Sequence, residues 1–258
     1  MADGGLDLTG RVAVVVGGTS GLGRTIAIGL ARAGADVVPT GRRIDRINEV
    51  VRDIEALGRR SLVHAADVAS RPSIDALRDA VIARMGRVDI LVNAAGRTLK
   101  KPTVEIPESD WDEVFDTNVT GILRACQSFH EPLRSSGRGR IINIASLTSF
   151  VAFFEVAAYS ASKAAVLSLT QSLGTEWAQH GICVNAIVPG VFRTELNSKL
   201  LDGTDRGREL LLRTPMKRFG KAEELVGAAV LLASDAASFI TGQSLAVDGG
   251  FLASGVNS

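Results

Sequence analysis

Apolar, mostly β-branched runs recur along the chain at VAVVV (12–16), ADVVP (35–39), SLVHA (61–65), VDILVN (88–93), RIINIA (140–145), CVNAIVP (183–189) and SLAVD (244–248). Their hydrophobicity is continuous rather than alternating, the mark of strands buried on both faces. Between them, apolar residues return every three or four positions over 22–33, 44–57, 73–85, 110–133, 157–180 and 222–233, which predicts helices. Seven strands interleaved with helices predict a doubly wound α/β fold, a parallel sheet covered by helices on both faces. Ligands of such folds bind beyond the carboxyl ends of the strands. The irregular stretch 190–220 is too polar for core and suits a lid over a site.

With 258 residues, 46% of them hydrophobic, the chain can bury one sizeable core, and a single domain over 1–258 is expected. A formal charge of +1 with scattered basic residues gives no footprint for nucleic acid and no polybasic patch for a membrane. The first apolar run is too short to span a bilayer and leads straight into glycines, so a soluble, cytoplasmic protein is expected. Cys126 and Cys183 fall in apolar segments and read as buried reduced thiols. His64, His130 and His180 show no ligand spacing, and no metal site is expected.

Gly17, Gly21 and Gly23 follow the first strand and open the first helix. Glycine allows the tight turn, lets backbone approach a diphosphate and leaves helix-terminal N–H groups aimed at an anion. The pattern G-x-x-x-G-x-G, with Thr19, Ser20 and Leu22 among its members, resembles the TGxxxGxG motif of the short-chain dehydrogenase/reductase family. Val16 stands where that family has Thr. Further markers follow in order: Asp67-Val68, Asn93-Ala94-Ala95-Gly96, Asn118, Ser146, Tyr159-x-x-x-Lys163 and Pro189-Gly190. The resemblance spans roughly 8–250 and implies a Rossmann-type fold, a nicotinamide coenzyme and a homotetramer.

Tyr159 is the only tyrosine, and Lys163 lies one helical turn later on the same face. An ammonium beside a phenol favours phenolate, so the Tyr159 pKa is expected below its free value of about 10. The resemblance implies that Ser146 hydrogen-bonds the substrate oxygen and Tyr159 exchanges a proton with it. Lys163 tunes Tyr159 and holds the nicotinamide ribose, and Asn118 anchors a relay water. On the residues alone, Ser146 could equally satisfy its own turn, and Asn118 an irregularity in its helix. The coenzyme set implied is Gly17, Thr19, Ser20, Gly21, Leu22, Gly23, Asp67 and Val68 at the adenine, Asn93, Ala94, Gly96, Tyr159, Lys163, Pro189, Gly190, Val191 and Thr194. Asp67, Asn93 and Gly96 could otherwise only cap or turn the chain.

At the end of the second strand, Gly41, Arg42 and Arg43 offer no carboxylate for ribose hydroxyls, whereas guanidinium suits a 2′-phosphate, with Thr40 as an added hydroxyl. NADP(H) is therefore expected ahead of NAD(H); the alternative is a pair of solvated charges starting a helix. The substrate is expected to meet 97–102, 147–156 and 190–220, where Arg97, Lys100 and Lys101 could receive an anion and Phe150, Phe153 and Phe154 form an apolar wall. These residues could also be a solvated loop and a subunit contact. NAAGRTLKKPT and RTPMKRFGKAEELV resemble sugar-acid and polyol oxidoreductases of the gluconate 5-dehydrogenase type, with 3-oxoacyl-carrier-protein reductases next. A dinucleotide-binding protein without turnover is the third reading, against which the complete set of Ser146, Tyr159 and Lys163 stands. The helix over 157–179 carries Ala158, Ala161, Ala164, Ala165, Ser168 and Ser172, small residues that a partner helix could approach closely.

Overall fold

The computed structural model describes residues 5–193 and 198–256. In chain order the strands are β1 (Val12–Val16), β2 (Asp36–Thr40), β3 (Ile90–Asn93), β4 (Gly139–Ile144), β5 (Ile182–Pro189) and β6 (Ser244–Val247). The helices are α1 (Gly21–Arg32), α2 (Ile44–Ala56), α3 (Arg71–Met85), α4 (Glu108–Phe115), α5 (Gly121–Ser135), α6 (Ala157–Glu176), α7 (Ser198–Leu201), α8 (Asp205–Arg213) and α9 (Val226–Ala233). All strand pairs are parallel, in the order β2-β1-β3-β4-β5-β6.

The expected doubly wound sheet forms with six strands rather than seven. The segment 61–65 runs beside β2 without completing a ladder. Val37 accepts the Ser61 hydroxyl on its carbonyl (2.6 Å) and donates its N–H to Arg60 O (3.1 Å). Two residues on, Pro39 has no N–H to continue outward, since proline cannot donate to a ladder. Thr40 Oγ1 donating to His64 O (2.7 Å) and Ala66 N to Gly41 O (2.9 Å) replace the missing rungs.

Each strand residue takes one of two cores by parity. Val12, Val14 and Val16 pack toward α3, α5 and α6 with Leu77, Phe129 and Val166, while Ala13 and Val15 pack toward α1, α2 and α9 with Leu30, Ile54 and Leu232. Burying a side chain of this size is worth roughly 1.5–3 kcal/mol, so the two cores fix the sheet from both faces.

The single helix expected over 110–133 is instead α4 and α5 joined by a π turn, Asp116–Thr120, that holds Asn118. Such π bulges concentrate at functional sites. Along α6, Ala158 faces inward, Ala161 and Ala165 are half-buried, and Ala164, Ser168 and Ser172 are exposed. Among the described residues, no helix is long and apolar enough to cross a membrane.

Candidate active site

Because every strand is parallel, the carboxyl ends of β1, β2, β3, β4 and β5 open at one edge of the sheet. The segments that follow them border a cleft of about 1410 Å³. It lies where the chain order reverses, with β2 on one side of β1 and β3 on the other, the place where open α/β sheets bind ligands.

The glycine turn forms one wall. Gly17 has φ +84°, and a Cβ there would overlap the backbone of Ala94 and Ala95. Gly23 packs so closely on the Gly17 carbonyl that a Cβ would collide with it, whereas Gly21, at φ +51°, faces open space. The Thr40 carbonyl pins the turn by accepting from Gly17 N (2.9 Å) and Gly18 N (3.1 Å). Ser20 precedes α1 in extended conformation and makes no side-chain cap, so the first N–H groups of α1 remain for an anion. A backbone packed this tightly, with space left only at Gly21, suits a diphosphate.

Gly41, Arg42 and Arg43 line the same cleft, with both arginines exposed and free of ion-pair partners among the described residues. Thr40 is not available as a further ligand: it is buried, and its hydroxyl is used on His64 O. Thr19, Ser20, Leu22, Asp67, Val68, Ala94, Gly96, Pro189, Gly190 and Val191 also line the cleft.

Ser146, Tyr159 and Lys163 meet in this cleft. Ser146 ends β4's exit, and its Oγ accepts from Thr148 N (3.2 Å) and Thr148 Oγ1 (3.1 Å). The Lys163 Nζ donates to Ile144 O at 2.7 Å and lies 5.8 Å from the Tyr159 ring centre. Burial pushes the Lys163 pKa down to about 8. The expectation for Tyr159 is corrected: burial raises its pKa above the ordinary value, opposed by the Ser146 hydroxyl. Desolvation disfavours phenolate, and the lysine that was to stabilise it is turned to a carbonyl.

Two expected residues stand behind the wall rather than in it. The Asn93 amide is buried and donates to Asn143 Oδ1 (2.9 Å), tying β3 to β4 instead of facing the cleft. Asn118, also buried, accepts from Arg97 N (2.9 Å) and donates to Arg97 O (2.9 Å) and Ser162 Oγ (3.0 Å), whose hydroxyl continues to Tyr159 O (2.7 Å). Asn118 thus braces the helix bearing Tyr159. A Cβ at Gly96 would stand 3.4 Å from Asn118 Oδ1 and 3.7 Å from Lys163 Nζ, so glycine keeps the space between them open. Thr194 lies outside the described residues.

At the substrate end only part of the expected wall forms. Phe153 lines the cleft, but Phe150 and Phe154 are exposed by 54% and 79% and do not. Arg97 lines it while paired with Glu113; Lys100 and Lys101 stand away from it, paired with Glu155 (3.3 Å) and Asp110 (3.5 Å). The sequence reading missed Arg206, Leu201 and Leu210, which α7 and α8 bring to the cleft; the signal was the amphipathic run DRGRELLLR inside 190–220.

Residues 16–252 match the family model described as enoyl-(acyl carrier protein) reductase. The chain is 41% identical over 248 residues to 2-dehydro-3-deoxy-D-gluconate 5-dehydrogenase of Dickeya dadantii, covering 96% of this chain and 97% of that protein. It is 40% identical over 250 residues to gluconate 5-dehydrogenase of Gluconobacter oxydans, covering 96% of each. Its fold superposes with a TM-score of 0.94 on a gluconate 5-dehydrogenase from Burkholderia cenocepacia in complex with NADP and tartrate, at 37% identity over 99% of this chain and 100% of that one. The glycine turn, the Ser146, Tyr159 and Lys163 grouping and this near full-length similarity all agree: the chain is an oxidoreductase of the short-chain dehydrogenase/reductase family.

Proposed function

We propose that the protein is an NADP(H)-preferring oxidoreductase that interconverts a ketone and a secondary alcohol on a sugar acid or polyol, in the manner of gluconate 5-dehydrogenases. The observation that carries the reading is a single cleft with the glycine turn, Arg42 and Arg43 along one part and Ser146 with Tyr159 along another. Gly17, Gly21, Gly23 and the start of α1 would hold the diphosphate, Asp67 and Val68 the adenine, and Arg42 and Arg43 the 2′-phosphate. The coenzyme, when bound, supplies or accepts hydride. Tyr159, whose pKa burial raises above the ordinary phenol value, donates its proton to the substrate oxygen in the reductive direction and accepts it back in the oxidative one. Ser146 hydrogen-bonds the same oxygen, and Lys163 presents its ammonium beside the ring of Tyr159.

Gly190, Val191, Phe192, Leu201, Arg206 and Leu210 from 190–220 line this cleft, which suits the lid role of that stretch, and the exposed Ala164, Ser168 and Ser172 on α6 support a homotetramer assembled partly through that helix. A panel of sugar acids, polyols and 3-oxoacyl thioesters, assayed with NADP(H) and NAD(H), tests the reading. Turnover of a sugar acid or polyol with NADP(H) ahead of NAD(H) is expected; turnover of the thioesters alone would contradict it.

A further inference from the structure

Among the described residues, most basic side chains around the substrate end of the cleft and its lid are already engaged; Arg213, exposed on α8, stacks over Phe251 (5.1 Å) and does not line the cleft. Arg97 is paired with Glu113, and Lys163 donates to the Ile144 carbonyl. Near the lid, Arg193 holds Asp202 (2.6 Å), Arg208 pairs with Asp205, and Arg218 holds Glu224 (2.6 Å). Arg206 lines the cleft, half-buried, with no carboxylate partner among the described residues. Its guanidinium carbon lies 6.0 Å from the centre of the Phe153 ring, a cation–π contact that leaves its N–H donors unspent.

Its platform is the capped helix α8. Thr204 caps α8 by accepting from Gly207 N (3.0 Å), and Leu210 packs with Leu147, Leu201 and Phe251. Leu147 directly follows Ser146, so one apolar patch joins the arginine to the proposed reaction centre. Of the acids lining the cleft, Asp67 lies at the coenzyme end and Asp112, Glu113 and Asp116 come from α4 and the π turn, where Glu113 and Asp116 are paired with Arg97 and Arg124. A planar guanidinium set on an aromatic face is suited to bidentate capture of a carboxylate.

We infer that Arg206 binds the carboxylate of the substrate, so the cleft selects an acidic polyol, with its charged end at α8 and its reacting carbinol at Ser146 and Tyr159. The inference rests on the reading of the cleft as an oxidoreductase site for sugar acids or polyols.

The test is calorimetric binding of D-gluconate, and of D-glucitol as the same carbon chain without the carboxylate, to NADP⁺-saturated wild type, Arg206→Leu and Arg206→Lys. Arg206→Leu should weaken gluconate about tenfold to a hundredfold, the scale of a charge-assisted hydrogen bond, and leave glucitol within about threefold. Arg206→Lys should recover part of the loss, because it keeps the charge without the fork. Wild type that binds gluconate no better than glucitol, or not at all, overturns the inference, as does an Arg206→Leu variant that holds gluconate unchanged. Oxidation is scored separately on the same samples. Gluconate held through Arg206 but not oxidised upholds the anchor while removing sugar acids from the proposed activity; glucitol oxidised with gluconate ignored does the reverse.

Discussion

Lys163 stands one helical turn beyond Tyr159, yet its ammonium is hydrogen-bonded to the carbonyl of Ile144 at 2.7 Å rather than to the phenol. Helix α6 is thereby tied to the end of β4, and a buried charge is placed among few partners. The consequence is a pH dependence of stability. Lys163 in the folded protein has its pKa lowered from 10.5 to about 8, so at neutral pH it is charged in both states and the cost of burying it is fully present. As pH rises through about 8 toward 10.5 the folded state releases its proton first, the unfolded chain binds more protons, and stability increases. Relative to Lys163→Met, wild type should gain about 2 kcal/mol between about pH 7.5 and 9.5, read by denaturant unfolding. A difference that is flat with pH would show that the ammonium carries no burial penalty.

Arg42 and Arg43 are expected to set coenzyme choice. Replacing Arg42 by Ala should weaken NADPH about tenfold to a hundredfold and leave NADH nearly unchanged, with Arg43→Ala acting in the same direction. Dissociation constants from fluorescence titration decide it: equal losses for the two coenzymes would make the arginines a solvated start to α2.

The three glycines of the turn should differ in their tolerance of Ala. Gly21→Ala faces open space at φ +51° and carries only the left-handed penalty of about 1–2 kcal/mol. At about 2–4 °C per kcal/mol, that lowers Tm by about 2–8 °C. Gly17→Ala adds overlap with Ala95, and Gly23→Ala overlap with the Gly17 carbonyl, so both should lose more stability and most of their NADPH binding. Thermal unfolding in which Gly17→Ala matched Gly21→Ala would mean the turn relaxes freely.

Assembly through α6 should be sensitive to bulk and charge on its exposed small residues. Light scattering of wild type should give a tetramer, and Ser168→Arg, placed between Ala164 and Ser172 on that face, a smaller species. A wild-type monomer would remove the proposal.

The sheet and most of the cleft were legible in the sequence because continuous apolar runs and a glycine turn are local signals. Where the reading departs from the structure, the cause lies in tertiary context. Run 61–65 has the composition of a strand, but Pro39 on the neighbouring strand withholds the donor it needs. Asn93 belongs to a coenzyme motif, yet its side chain points between strands to Asn143, a matter of pleat parity at the very end of β3. The three phenylalanines near Ser146 look alike in sequence, and only the course of the loop selects Phe153 for the cleft. Arg206 is one basic residue among several in a polar stretch; what distinguishes it is that it lines the cleft, whereas Arg193 and Arg208 hold carboxylates of their own and Arg213 stacks over Phe251 away from the cleft lining.

The most direct measurement is the initial rate of NADP⁺ reduction with D-gluconate for wild type and Tyr159→Phe, alongside NADPH titration of both. The Phe variant keeps the ring and loses the exchangeable proton, so the rate should fall at least about a hundredfold while NADPH binding stays close to wild type. A Tyr159→Phe enzyme turning over at the wild-type rate would contradict the assignment of proton transfer to Tyr159.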